Sequence, residues 1–264
     1  MAVRAPLGGR PLVGSVAIVT GASSGIGAAV ARELAQRGAT LVLAARRVEE
    51  LNAQAEAIRI MGAEVLVIPT DVARDVDAQL LVDRTMTTFG RIDVLVNNAG
   101  VGWQAPLAAT DPGGVAHVVG VNLLGAMLIT RAALPCMLAR SHGSIVFVGS
   151  LSGRVAMEPL YSASKYGLRG FSLALRRQMA GTGISVSLVS AGNINTAMTQ
   201  HVNARIPGPE LVATTVANLI RHPRREVVIP RRHYAIAWLE QLFPTISDYV
   251  YQARGWSPVR EEEV

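Results

Sequence analysis

The chain has 264 residues, half of them hydrophobic and 17% charged, enough apolar material for a large buried core and too much for an intrinsically disordered chain. Its formal net charge of +6 rests on 24 arginines and one lysine, Lys165. Apart from Arg46-Arg47 and the stretch Arg221 to Arg232 these are scattered, with no basic tract or reading module, so no nucleic-acid partner is expected. The single cysteine, Cys136, excludes an intramolecular disulfide and a cysteine metal cluster, and no metal site is expected.

No unbroken apolar run approaches the roughly 20 residues of a membrane-spanning helix, and Met1 to Gly14 lacks the apolar centre of a signal peptide. A cytoplasmic protein with a flexible N-terminus over residues 1–14 is therefore expected.

Apolar, β-branched runs recur along the chain at Val16 to Thr20, Thr40 to Ala44, Glu64 to Pro69, Val94 to Asn97, Ser144 to Gly149, Ile184 to Val189 and Glu226 to Ile229. They are nearly continuous rather than alternating, which predicts strands buried on both faces. Between them Ala28 to Arg37, Val48 to Met61, Asp75 to Phe89 and Tyr161 to Met179 carry apolar residues at helical spacing. Strand and helix alternate throughout. This predicts an α/β fold, one doubly wound Rossmann-type domain with a parallel sheet of about seven strands and helices on both faces.

The first predicted strand runs into Gly21-Ala22-Ser23-Ser24-Gly25-Ile26-Gly27 and then an alanine-rich helix. Glycines there allow a tight turn and a close backbone approach, and they leave a pyrophosphate at a helix N-terminus, where N–H groups and the dipole favour its charge. The second strand ends at Ala45, Arg46 and Arg47, where an acid would accept from a ribose 2′-hydroxyl and repel a 2′-phosphate. Two arginines instead favour NADP, with NAD still possible.

Three motifs in order, the glycine loop, Asn97-Asn98-Ala99-Gly100, and Tyr161-Ser162-Ala163-Ser164-Lys165, closely resemble the short-chain dehydrogenase/reductase superfamily in its shorter, single-domain branch. The resemblance implies a nicotinamide-dependent oxidoreductase. It places Asp71 and Val72 by the adenine, Asn97, Ala99 and Gly100 along the cofactor, and Gly192, Ile194 and Thr196 at the nicotinamide. It makes Tyr161 the general acid/base, Lys165 its partner and ribose ligand, Ser150 the residue stabilising the substrate oxygen, and Asn122 the support of a proton relay. Two departures stand out: Ala191 replaces the usual proline before Gly192, and Ser150 precedes Tyr161 by eleven positions where thirteen are usual. The second leaves Ser150 and Ser152 as alternatives.

The chemistry suits these residues. An ordinary phenol is a poor base at neutral pH, and the charge of Lys165, one helical turn beyond Tyr161, together with that of the nicotinamide, is expected to depress its pKa. Trp103, Leu151, Met157, Met198 and His201 are expected near the pocket rim, and a small-molecule carbonyl or alcohol is the expected substrate. The sequence leaves open a cofactor-binding sensor of the same fold, or an isomerase or dehydratase using transient hydride transfer.

Small residues at Ala163, Gly167, Gly170 and Ala174 predict close helix packing in a homodimer or homotetramer. Residues 231–264 form a C-terminal helical extension and tail, with two short helices between Tyr234 and Tyr251 broken at Pro244. These are expected to pack on the protein as a lid, or against a second subunit. Contact with a membrane surface is the less favoured alternative.

Overall fold

A computed structural model describes residues 12–103, 105–199 and 206–253, the side chains of 251–253 excepted. Seven strands form its sheet: β1 (Val16–Thr20), β2 (Thr40–Ala45), β3 (Val65–Pro69), β4 (Val94–Asn97), β5 (Gly143–Ser150), β6 (Ile184–Ala191) and β7 (Val227–Ile229). Their order is β3-β2-β1-β4-β5-β6-β7, and every neighbouring pair is parallel. In register, Ile18 lies between Val42 of β2 and Leu95 of β4. The central strands β1 and β4 are wholly buried, which is why their sequences are unbroken apolar runs, whereas edge strand β3 is only partly covered.

The helices are α1 (Gly25–Gln36), α2 (Val48–Ile60), α3 (Asp75–Phe89), α4 (Pro112–Val119), α5 (Gly125–Ala139), α6 (Pro159–Gln178), α7 (Glu210–Arg221), α8 (His233–Leu242) and α9 (Pro244–Ala253). Local chemistry sets several ends. Asp75 and Asp77 meet the positive end of α3, and Gly90 closes it at φ +67°. Asp111 caps α4 by accepting from the Gly114 N–H at 2.8 Å, with Pro112 in the first turn. One face of the sheet buries Leu34 of α1, Leu51 and Ile58 of α2, and Val216 of α7; the other buries Leu81 of α3, Ile129 of α5 and Leu168 of α6. Each such side chain contributes about 1.5–3 kcal/mol by leaving water.

Three expectations need correction. Helix Pro112–Ala139, running through α4, a π turn at Gly120–Leu124 and α5, is long and apolar enough to cross a membrane, with mean hydropathy 1.6 over its best window. Val118, Ile129, Ala133 and Met137 bury its inner side completely, so we read it as a core helix. Gly113, Gly114, Gly120, Gly125 and Pro135 break up its apolar run in the sequence. At the N-terminus, residues 12–14 are fixed: Leu12 is buried and the Gly14 N–H donates to the Gly38 carbonyl at 2.9 Å. Residues 1–11 lie outside the described residues. In α6, a Cβ on Gly167 would lie 2.7 Å from Leu123 Cδ2, so that glycine serves internal packing, while Ala163, Gly170 and Ala174 are exposed.

The two C-terminal helices are present and separate at Pro244. Among their large apolar side chains, however, Ile236, Trp238, Leu242, Phe243, Ile246 and Tyr249 are exposed rather than packed on this chain.

Candidate active site

The strand order reverses between β1 and β4, and the loops leaving their carboxyl ends diverge to open a crevice. A cleft of about 390 Å³ lies there, lined by the glycine loop with Arg46, Arg47, Asp71 and Val72, and by Ala99, Gly100, Tyr161, Lys165 and Thr196.

The glycine loop is shaped by two close approaches. Gly21 sits at φ +65°, and a Cβ there would lie 2.9 Å from Ala99 Cα; a Cβ on Gly27 would overlap the Gly21 carbonyl. Helix α1 then starts at Gly25, three residues before its apolar periodicity begins. Its N-cap, Ser24, makes no side-chain cap, and no acid stands in the first turn. The positive helix end and its N–H groups therefore face the cleft, which with the glycine cradle fits a dinucleotide pyrophosphate. Thr196 closes over this loop, its Cγ2 3.4 Å from the position of a Cβ on Gly25.

The two arginines after β2 differ. Arg47 Nη2 donates to Ser23 Oγ at 3.0 Å and Ser24 Oγ at 2.5 Å, and Nη1 lies 3.4 Å from Glu50. Arg46 is exposed and makes no hydrogen bond or ion pair among the described residues. Asp71 accepts from the Ala73 N–H at 3.1 Å, while its own N–H is held by Asp77.

Tyr161 and Lys165 lie one turn apart on α6, with Lys165 Nζ 5.5 Å from the Tyr161 ring centroid. Burial pushes the Tyr161 phenol above its ordinary value, a hydrogen bond with the Ser150 hydroxyl pulls it back, and Glu158 raises it further. The depression expected from the charges of Lys165 and the nicotinamide is not part of this balance, which burial dominates. Burial also brings the Lys165 ammonium down to about 8. Gly100 leaves room for that ammonium: a Cβ there would lie 3.3 Å from Lys165 Nζ and 3.2 Å from Asn122 Oδ1.

Between the serine alternatives, Ser150 is the one hydrogen-bonded to Tyr161, and its Oγ accepts from the Ser152 N–H at 3.1 Å. Ser152 is buried in the short turn Leu151–Gly153, which absorbs the shortened spacing. Asn122, in the π turn, clamps Val101 from both sides, accepting from its N–H at 2.7 Å and donating to its carbonyl at 2.9 Å. It also donates to Ser164 Oγ at 3.0 Å, and that hydroxyl donates to the Tyr161 carbonyl at 2.7 Å.

Some expected residues stand away from the cleft. Asn97 is buried behind it, donating to Thr130 Oγ1 at 2.9 Å, with its Oδ1 unpartnered among the described residues. Its neighbour Asn98, which the sequence reading passed over, lines the cleft and ties β4 to the glycine loop by donating to the Thr20 carbonyl at 2.9 Å. The motif carries no signal that separates the two, because β4 is buried on both faces. Ile194 is buried in the core, and Gly192 donates its N–H to the Ile229 carbonyl at 2.7 Å beneath His233. Ala191, in place of the family's usual proline, extends the β6 ladder opposite Ile229.

The rim differs too. Met198 lines the cleft, but Leu151 and Met157 pack with Ala237 and Tyr234 of α8, and Trp103 donates to Thr110 and covers Gly114 of α4. His201 lies outside the described residues. Thr70, Val101, Val148 and Gly149 line the cleft and were missed, since strand-end positions carry no composition signal.

The model of the short chain dehydrogenase family matches residues 15–207. The ketoacyl reductase HetN of Nostoc sp. is 34% identical over 261 residues, covering 92% of this chain and 90% of its own. A 3-oxoacyl-[acyl-carrier-protein] reductase of Bos taurus is 40% identical over 193 residues, covering 72% and 80%. Among solved structures, a metagenomic short-chain oxidoreductase in complex with NADP superposes with a TM-score of 0.75 at 35% identity, covering 83% of this chain and 98% of that one. A seven-stranded parallel sheet, a glycine cradle at its switch point and a match over most of its length make this chain a member of the short-chain dehydrogenase/reductase family.

Proposed function

We propose that the protein is an NADP(H)-dependent oxidoreductase interconverting a carbonyl and a secondary alcohol. The observation that carries this is that Tyr161 and the buried Lys165 open into the same cleft as the glycine loop. When bound, the nicotinamide dinucleotide supplies or accepts the hydride. In reduction Tyr161, kept protonated by burial, donates its proton to the substrate oxygen, and the Ser150 hydroxyl hydrogen-bonds that oxygen as charge builds there. Oxidation is the reverse. Lys165 binds the ribose and presents a charge that favours phenolate once Tyr161 has given up its proton. Asn122 fixes the Val101 backbone and the first turns of α6, and its π turn shifts carbonyls off the regular helical ladder beside Lys165, where a proton relay would run.

Preference for NADP over NAD follows from Ala45-Arg46-Arg47, with Arg46 free to meet a 2′-phosphate, and is supported by the NADP complex of the similar structure. The protein acts in the cytoplasm as a homodimer or homotetramer in this reading, with Ala163, Gly170 and Ala174 of α6 exposed for close approach.

The test is NADPH consumption with aliphatic, aromatic and steroid ketones, and with 3-oxoacyl thioesters because two relatives carry that activity in their names. Turnover with a carbonyl class supports the proposal; cofactor binding with no turnover on any of them contradicts it.

A further inference from the structure

Helix α8 packs on the body by one face, against Leu151, Val155 and Val228. Tyr234, Ala237 and Glu240, at helical spacing, face the protein. The Tyr234 hydroxyl accepts from the Val228 N–H at 3.1 Å, and Ala237 is wholly buried. Glu240 is used up internally: Oε2 accepts from Ser247 Oγ of α9 at 2.5 Å and Oε1 from the Ala156 N–H at 3.4 Å. The opposite side carries Ala235, Trp238, Leu239 and Leu242, an i, i+3, i+4, i+7 stripe. Trp238 is 55% exposed and Leu242 60%. Phe243 at the corner, and Ile246 and Tyr249 on α9, continue the exposed apolar surface. Besides the face it packs inward, the helix pair therefore presents a broad apolar stripe to solvent.

The charges around it are one-sided. Arg231 and Arg232 lead directly into α8, while Arg221, Arg224 and Arg225 stand across the three-residue strand β7, roughly 10 Å long. All five are exposed, and none makes a side-chain ion pair among the described residues. Of the acids between 221 and 250, Glu226 is buried between Arg154 and Arg169, and Glu240 is turned inward, which leaves only Asp248 exposed. Glu240, one of the two acids on α8 and α9, is therefore turned away from the apolar stripe.

We infer that α8 and α9 form an interfacial foot that seats this protein on an anionic lipid surface. Tryptophan, phenylalanine and leucine enter the headgroup boundary while the arginines meet lipid phosphates. A second copy on the same face would bring Arg231 and Arg232 of each chain together, whereas an anionic bilayer complements them. The foot lies beyond the segment matched by the family model, which ends at residue 207. The inference does not depend on the proposed reaction.

The test is flotation of the full chain. Vesicles of phosphatidylglycerol and phosphatidylcholine are compared with phosphatidylcholine alone, at low salt and at about 0.15 M. The full chain is expected to float with the anionic vesicles at low salt, and less at the higher salt. Trp238→Glu with Leu242→Glu is expected to abolish flotation without changing NADPH turnover. Arg231→Gln with Arg232→Gln is expected to weaken partitioning by about 5-fold per arginine. Failure to float at low salt, equal flotation on phosphatidylcholine alone, or flotation unchanged in both variants would overturn the inference. So would a fall in oligomer mass by light scattering in the Trp238/Leu242 variant without flotation of the parent, which would assign the face to a second copy.

Discussion

Lys165 holds its ammonium 5.5 Å from the centre of the Tyr161 ring at a site where burial has brought the lysine down to about 8. The ordinary value is 10.5, so between about pH 8 and 10.5 the folded chain binds fewer protons than the unfolded one. Stability should therefore rise with pH through that window, and below it the buried charge costs about 3 kcal/mol.

Lys165→Met should consequently stabilise the cofactor-free protein at pH 7 by up to about 3 kcal/mol, lose the rise in stability above pH 8, and lose turnover. Urea unfolding at pH 7 and pH 9 measures this. Equal destabilisation at both pH values would show that the lysine is held by compensating bonds instead.

The cofactor arginines should separate. Arg46→Ala removes a charge-assisted contact to a 2′-phosphate and should weaken NADPH by about 1.5–3 kcal/mol, one to two orders of magnitude, with little effect on NADH. Arg47→Ala should weaken both cofactors, because Arg47 also holds the Ser23 and Ser24 hydroxyls of the glycine loop. Fluorescence titration of each variant with both cofactors distinguishes them, and equal losses for Arg46→Ala contradict the 2′-phosphate assignment.

Gly192 lies beneath the His233 imidazole, so Gly192→Ala forces the turn after β6 and the start of α8 apart. Overpacking of this kind costs about 1–3 kcal/mol. His233→Ala in the same chain should recover part of that loss, a coupling that a double-mutant cycle on unfolding free energies reads directly. Strict additivity would mean that the two residues do not meet.

Much of this fold is legible in the sequence because its strands are buried on both faces. β1 and β4 fall on the expected residues, Val16 to Thr20 and Val94 to Asn97, and α3 on Asp75 to Phe89, where two aspartates and Gly90 mark the ends. Helix α1 begins earlier than its periodicity suggests, since Gly25 and Gly27 are poor helix formers retained for the close approach at the loop. The continuous helix through Asn122 was hidden by its glycines and Pro135. Within the site, the motifs identify Tyr161, Lys165 and the glycine loop, but spacing alone could not separate Asn97 from Asn98 or Ser150 from Ser152. Those choices depend on which way each side chain turns, and so does the inward turn of Glu240 that leaves α8 apolar on its outer side.

Tyr161→Phe tests the central claim most directly. Deleting one hydroxyl removes the proton donor and the bond with Ser150 while leaving the glycine cradle, Arg46 and Lys165 in place. With a ketone substrate and NADPH, the account predicts a fall in kcat of at least about 100-fold, the contribution of a positioned general acid, with the dissociation constant for NADPH within a few-fold of the parent. Parent-like turnover in this variant, followed at the cofactor absorbance, would contradict it.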